Sequence, residues 1–139
     1  MYYLIYISTA IRFMDQAELT ELLDQSKKRN TDLGITGILL YADCTFIQAL
    51  EGDKYAVEKV FESIKKDGRH KNVIELISGE QEKPTFPNWA MAFATPEALQ
   101  MNELEGYINP LQNELFKGSE QNTAITILKT FAENNGMMR

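Results

Sequence analysis

The chain has little of what metal, disulfide and common catalytic sites require. Its 139 residues include one cysteine, Cys44, and one histidine, His70. A single cysteine excludes an internal disulfide, and the two residues together are too few ligands for an ordinary zinc site, so we expect no metal. No phosphate-binding loop, dinucleotide-binding glycine fingerprint or nucleophile-elbow pentapeptide occurs either. The common hydrolase and transferase mechanisms therefore have little support.

Positive charge and long apolar runs are also scarce. The net charge is −6, the opposite of the basic surface that supplies affinity for nucleic acids. The longest apolar runs, such as residues 38–42, are far below the roughly 18 residues that a membrane span needs. No basic segment precedes the apolar residues at the N-terminus, as it would in a secretory signal. We therefore expect a cytoplasmic protein with no nucleic-acid or membrane partner.

Periodicity predicts an α+β domain. Strand-like runs occupy residues 2–8, 36–42, 45–51, 72–78 and 88–93. Asp15 with Glu18 three residues later predicts the start of a first helix, which ends in the turn at residues 30–34. Asp53 predicts the start of a second helix, which Gly68 ends. The resulting order, ferredoxin-like βαββαβ with an extra strand, predicts a mixed sheet with both helices on one face.

The last third of the chain predicts helices that cover the second face of this sheet. Residues 95–97 form a good helix start, residues 109–110 interrupt it, and Ser119 can cap a last helix. The apolar stripe predicted for that helix is Ala124, Ile127, Leu128 and Phe131. We accordingly divide the chain into a domain at residues 1–94 and a C-terminal helical extension at residues 95–139.

Two polar side chains occupy strand positions where the pattern calls for apolar ones. Phe46, Gln48 and Leu50 share one face of the third strand, and Tyr6 lies in the middle of the first. A buried amide without a partner costs about 1–3 kcal/mol, and a phenol hydroxyl can act as its partner. Taken alone, such a pair is better explained as an ordinary buried hydrogen bond than as a functional site.

Polar residues on the helices make the pattern more specific. Leu22, Ser26 and Asn30 recur at four-residue intervals, which continues an apolar stripe into hydroxyl and amide groups. Ser26 or Asn30 alone is better explained as a solvated position or a helix cap. Arg69 and His70 could attract a phosphate, although charged residues in a loop are usually only solvated. Similarly, Trp89 and Met91 on the last strand are also consistent with simple core filling.

Together these residues resemble the BLUF family of flavin photoreceptors. The matching segments are LIYIS at 4–8, Asn30 followed by GITGIL at 34–39, FIQALEG at 46–52, DGRH at 67–70 and NWAM at 88–91. The resemblance implies a non-covalently bound flavin between the two helices, usually FAD, with FMN possible. One departure is Ser63, which stands where family members often carry a larger basic or imidazole side chain, so phosphate affinity and the preference between FAD and FMN stay open.

The resemblance also implies a role for each matching residue. Tyr6 matches the electron-donating tyrosine and Gln48 the glutamine whose hydrogen bonds rearrange in light, while Asn30 matches the asparagine that bonds the ring. The implied cofactor-binding residues are Leu22, Ser26, Asn30, Phe46, Gln48, Ile64, Asp67, Arg69 and His70. Trp89 and Met91 match two residues of the last strand that relay the signal.

The leading hypothesis is thus a blue-light photoreceptor without enzymatic activity, since no effector domain follows residue 139. Its expected partners are further copies of the chain and a downstream protein. One alternative is a light-independent ferredoxin-like regulatory module that binds a small molecule. Another is a small enzyme of acylphosphatase-like architecture, whose phosphate cradle needs an arginine in a glycine-containing loop after the first strand. That loop, residues 8–12, contains Arg12 but no glycine.

Overall fold

The fold is a five-stranded mixed sheet with helices on both faces. The computed structural model describes residues 1–86, 88–94, 106–108 and 122–137. Within them the strands are β1 (Tyr2–Ala10), β2 (Thr36–Ala42), β3 (Thr45–Gly52), β4 (His70–Glu80) and β5 (Trp89–Ala94), and the helices are α1 (Gln16–Asp32), α2 (Lys54–Lys65) and α3 (Thr123–Asn134). No helix in the described part of the chain is both long and apolar enough to cross a bilayer.

The strand order is β4-β1-β3-β2-β5. The first four strands pair antiparallel, whereas β5 joins β2 in parallel. This topology confirms the ferredoxin-like order with one extra strand. It also places the first and third strands side by side, with Tyr6 directly opposite Gln48.

The two faces of the sheet carry separate hydrophobic clusters. On one face, α1 packs over a cluster that includes Leu39 and Met91, and α2 packs over one that includes Leu4 and Tyr6. On the other face, α3 packs over the side chains of the central strands. Because successive side chains of a strand point to opposite faces, a single strand contributes to both layers. The prediction that the last helix covers the second face is therefore confirmed.

The helix boundaries follow the capping chemistry, with two corrections. Asp15 and Glu18 form the capping box predicted for α1, and Asp53 caps α2. However, α2 ends at Lys65, with Lys66 as its C-cap, before Gly68 is reached. The N-cap of α3 is Asn122, whose side chain accepts from Ile125 N.

The predicted buried stripe of α3 is wrong in part. The buried residues are Ala124, Ile125, Leu128 and Ala132. Ile127 and Phe131 only flank the cluster and are partly buried. Moving the N-cap from Ser119 to Asn122 does not change which residues share a face of the helix. The buried face is the one that packs against the sheet. Ser119, together with the predicted features at 95–97 and 109–110, lies outside the described residues.

Two strands are longer than their sequence patterns by two residues or more. β1 continues to Ala10 and β4 begins at His70, because these two residues still pair with each other in the β1–β4 ladder. That ladder contains two irregularities, between Ile5 and Tyr6 and between Ile7 and Thr9, and such bulges blur the two-residue alternation that sequence reading relies on. The extension matters because it makes His70 a strand residue beside the first strand.

Candidate functional site

A pocket that is open to solvent lies between α1, α2 and the sheet, and the space in it and at its mouth amounts to about 380 Å³. Its walls mix apolar groups with polar and charged groups, which is the usual make-up of a small-molecule site. The lining residues are Tyr6, Leu22, Ser26, Arg29, Leu39, Phe46, Gln48, Ile64, Asp67, Arg69 and His70. We call this the helix–sheet pocket. It brings together every cofactor-binding residue predicted from the sequence except Asn30.

Tyr6 and Gln48 form a buried hydrogen bond in the wall of this pocket. The Tyr6 hydroxyl donates to Gln48 Oε1 over 2.7 Å, and the two residues are only 3% and 1% exposed. Burial raises the pKa of Tyr6 well above its ordinary value, and Arg29 and Asp67 have smaller and opposite effects on it. The phenol is therefore protonated at physiological pH. Gln48 Nε2 is buried and has no hydrogen-bond partner among the described residues.

Asn30 is fully buried next to the pocket wall. Its Oδ1 accepts from Arg29 Nε over 3.1 Å, while its Nδ2 has no partner within the described residues. Burial lowers the pKa of Arg29, whose charge lies close enough to interact with both Tyr6 and Asp67. Two buried amide groups, Gln48 Nε2 and Asn30 Nδ2, lack acceptors in the described part of the structure, and this costs free energy unless a ligand supplies the acceptors. The donor set therefore fits a flat heterocycle that carries carbonyl acceptors, as a flavin does.

Arg69 and Asp67 form a polar end to the pocket. Arg69 Nη2 lies 2.6 Å from Asp67 Oδ2, and Arg69 Nη1 donates to Gln25 Oε1 over 3.0 Å. The second bond ties the segment after α2 to the middle of α1. Burial alone would raise the pKa of Asp67, but the hydrogen bonds and charge of Arg69 outweigh it, so the pKa is lowered. Asp67 is thus a carboxylate that holds Arg69 in place.

His70 makes two hydrogen bonds and packs against two aromatic rings. Nε2 lies 2.5 Å from the Ile64 carbonyl oxygen, and Nδ1 lies 2.7 Å from Ser8 Oγ. Because a carbonyl can only accept, Nε2 carries a proton, and in the neutral ring Nδ1 accepts from the serine hydroxyl. The imidazole meets Tyr6 and Phe46 edge-on, with centroids 6.3 and 6.0 Å apart. It therefore braces the tyrosine of the buried pair.

Trp89 and Met91 lie one layer behind the pocket. They are 4% and 0% exposed and pack in the same cluster as Leu39 and Phe46, which line the pocket directly. Trp89 Nε1 has no partner in the part of the chain that the structure describes. A movement of the pocket wall would reach these two residues through Leu39 or Phe46.

Sequence reasoning missed two lining residues, Arg29 and Leu39. Arg29 follows Leu22 by seven positions and so falls on the same helical face. Leu39 pairs directly with Gln48 across the β2–β3 ladder, so a correctly registered hairpin would have revealed it.

Two other sequence features lie away from the pocket. Ser63 is exposed and is not among the lining residues. Arg12 pairs with Glu18, with Nη2 2.6 Å from Oε2, so its guanidinium is engaged at the start of α1. This arrangement disfavours the acylphosphatase-like reading, in which that arginine would face the phosphate.

Comparisons with known proteins agree on one family. The family profile BLUF, described as sensors of blue light using FAD, matches residues 1–92. The photoactivated adenylate cyclase subunit beta of Euglena longa is 33% identical over 129 residues, which cover 92% of this chain and 14% of that protein. The chain thus spans about a seventh of the length of that curated relative.

Solved structures give the same result. BlrP1 of Klebsiella pneumoniae superposes with a TM-score of 0.73 at 25% identity, covering 97% of this chain and 33% of that one. Another structure of BlrP1 contains FMN and cyclic diGMP without metal ions. The dark-state structure of BlrB, a BLUF protein, superposes with a TM-score of 0.65 at 28% identity and covers 96% of both chains. The chain belongs to the BLUF family, the blue-light sensors that use a flavin.

Proposed function

We propose that Tyr6 and Gln48 register blue light in this domain by rearranging their hydrogen bond beside a bound flavin. The observation that carries the proposal is the buried 2.7 Å bond from Tyr6 to Gln48 Oε1 in the wall of the helix–sheet pocket. The other end of the same amide, Nε2, has no partner among the described residues. The amide is therefore placed to bond the tyrosine on one side and a ring acceptor on the other.

A flavin bound here would supply absorption of blue light and, once excited, a one-electron acceptor. Tyr6 would be the donor of that electron, and its hydroxyl proton would move to Gln48 Oε1, the atom it already bonds. An amide has a donor end and an acceptor end, so Gln48 can pass on a proton and then rotate or change tautomer. The return of the electron and the proton to Tyr6 would leave the amide with different hydrogen bonds to Tyr6 and to the ring. The expected state is slightly red-shifted and reverts in the dark.

Other residues in and beside the pocket hold the ring in this proposal. Asn30 bonds the heterocycle with its unpartnered amide, and Arg29 adds a positive charge next to it. Apolar contacts come from Leu22, Phe46 and Ile64, with Ser26 beside them. Asp67, Arg69 and His70 lie near the ring and the ribityl-phosphate side of the cofactor. FAD is the expected cofactor and FMN remains a candidate, since BlrP1 is known with FMN and Ser63 offers no cation for a phosphate.

The signal leaves through β5 in this proposal. Trp89 and Met91 relay the change, because they pack directly behind Leu39 and Phe46. Residues 1–94 act as the sensor domain, and residues 95–139 form the helical extension that receives the signal. The output is a change in assembly or in the binding of a downstream protein, without enzymatic activity of the domain itself.

Absorption spectroscopy tests the photochemical proposal. The purified chain, reconstituted in turn with FAD and FMN, is recorded before and after blue light. The wild type should show a reversible red shift, and Tyr6→Phe and Gln48→Leu should retain flavin but lose the normal shift. Tyr41→Phe is the matched control, because it removes another buried hydroxyl, which accepts from Met14 N.

The outcomes separate the hypotheses. Flavin binding without any light-induced shift in the wild type would favour a light-independent ligand-binding module. A normal photocycle in Tyr6→Phe or Gln48→Leu would show that the roles assigned to the pair are wrong. Loss of the shift in Tyr41→Phe would mean that the response is a general effect of core damage.

A further inference from the structure

The strand that carries Gln48 also carries a buried carboxylate on its opposite face. Glu51 is 1% exposed and lies three positions after Gln48 on β3, so the two side chains point to opposite sides of the sheet. Gln48 faces the helix–sheet pocket, while the neighbours of Glu51 on its own face belong to the cluster beneath α3. None of the roles described above uses this carboxylate.

Glu51 accepts four hydrogen bonds. Its Oε2 accepts from Thr85 N and from Gln81 Nε2, both over 2.6 Å. Its Oε1 accepts from Phe86 N over 2.9 Å and from Thr36 Oγ1 over 3.2 Å. All four partners donate, so an ionised carboxylate, which only accepts, satisfies every one of them. A glutamine of the same shape would turn an NH₂ group toward donors.

Three of these bonds reach the segment that connects β4 to β5, and this segment in turn contacts α3. Thr85 and Phe86 lie four and three positions before Trp89, the first residue of β5. Thr85 Oγ1 also accepts from Asn122 Nδ2 over 3.3 Å, and Asn122 is the N-cap of α3. Phe86 is buried in the same cluster as the inner face of α3. Glu51 therefore connects β3 to the segment before β5 and, through Thr85, to the N-cap of α3.

We propose that Glu51 is a positioning residue that couples β3 to β5 and α3, so that a shift of the strand bearing Gln48 is transmitted to both output elements. The light-dependent part of this inference rests on the proposed function. The anchoring itself does not, because it concerns contacts on the face opposite the pocket. It can therefore be tested in the dark as well as in the light.

Hydrogen–deuterium exchange of Glu51→Gln tests the anchor. In the dark, exchange at Thr85, at Phe86 and in the first turn of α3 should accelerate roughly tenfold or more, since hydrogen bonds to a charged acceptor are among the stronger ones. Glu75→Gln, on exposed β4, is the matched control and should exchange like the wild type. Unchanged exchange at Thr85 and Phe86 would overturn the proposal. So would faster exchange spread evenly over the chain, which would indicate only a loss of global stability.

Hydrogen exchange under blue light distinguishes transmission of the light-induced change through Glu51 from a purely structural role of this residue. Glu51→Gln should keep the red shift of the bound flavin, whereas light-induced exchange differences in α3 should fall at least severalfold below those of the wild type. Full light-induced differences in the variant would overturn the proposal. Absence of a red shift in the wild type would instead count against the proposed function and leave the dark result standing.

A second variant tests the same link if Glu51→Gln does not fold. Thr85→Val keeps the backbone bond to Glu51 but removes the hydroxyl that accepts from Asn122. It should accelerate exchange in the first turn of α3 and leave Phe86 protected. If that turn stays as protected as in the wild type, the link from Glu51 to α3 is wrong.

Discussion

At the scale of single residues, the Tyr6–Gln48 bond is also a stability element. Replacing either residue leaves a buried polar group of the other without its partner. Tyr6→Phe and Gln48→Leu should each lower the free energy of unfolding of the flavin-free chain by about 1–3 kcal/mol. The double variant should lose less than the sum, because it removes both halves of one interaction. Urea denaturation of the four proteins measures this, and strict additivity would contradict a direct coupling.

Asp67 should make the flavin-free fold sensitive to acid. Its pKa in the folded protein is below the ordinary 3.8, so around and below that value the unfolded chain binds more protons than the folded chain. Stability contributed by this carboxylate is therefore present above the ordinary pKa and is lost as pH falls through the lower, folded value. Denaturant unfolding between about pH 2 and 6 should show a smaller acid loss in Asp67→Asn.

The control for this measurement is Asp24→Asn, an exposed position on α1. It should leave the acid dependence close to that of the wild type. If Asp67→Asn and Asp24→Asn behave alike, the Arg69 hydrogen bonds do not stabilise the carboxylate in the way described.

At the scale of elements, the β2–β3 hairpin depends on Gly37. Its φ is 144°, and a Cβ at this position would lie 1.9 Å from the carbonyl oxygen of Ala49. Gly37→Ala should therefore destabilise the protein by about 2–5 kcal/mol, from a strained backbone and a steric clash together. Gly68→Ala is the matched control, since a Cβ there meets nothing within 4 Å. Similar melting temperatures for the two variants would contradict this account.

The helices show how elements place the site. The apolar stripe of α1 at Leu22 continues to Ser26 and then to Arg29 and Asn30. One face of this helix therefore supplies both apolar and polar groups to the site. β3 does the same across the sheet, with Gln48 toward the pocket and Glu51 toward α3. Element geometry thus sorts neighbouring residues into different layers.

At the scale of the whole molecule, the outer edge of the sheet suggests assembly. Within the described residues β4 pairs only with β1, and Ile74 and Leu76 on it are 56% and 45% exposed. An exposed edge with apolar side chains favours pairing with another chain. We expect a second copy of this chain to dock there, and light to change the proportion of assembled protein.

Light scattering after size exclusion, in the dark and under blue light, measures that assembly. Ile74→Lys should shift the distribution toward the monomer, because a charge on an edge strand opposes pairing. Lys71→Glu is a control on the same strand that alters charge without removing apolar surface. Identical masses in darkness and light over a wide concentration range would contradict assembly as the output.

Much of the fold and most of the pocket could be predicted from sequence. Caps such as Asp15 and Asp53 act locally, so the starts of α1 and α2 follow from side chains within one turn. Strand alternation likewise placed Tyr6 and Gln48 on the inner face. The buried stripe of α3 could not be predicted, since several apolar faces were available and contact with the sheet selected Ile125 over Ile127.

The sequence by itself determined the order of elements, the residue types in the pocket and the resemblance to a flavin sensor, because these depend on local periodicity and on motifs read along the chain. Tertiary structure decided the rest. Only the strand register brings Tyr6 opposite Gln48, and only the packing of α1 adds Arg29 to the wall. Glu51 acquires its four partners from segments 15 to 35 positions away. Contacts at such separations depend on how the strands and loops pack together and not on any local pattern.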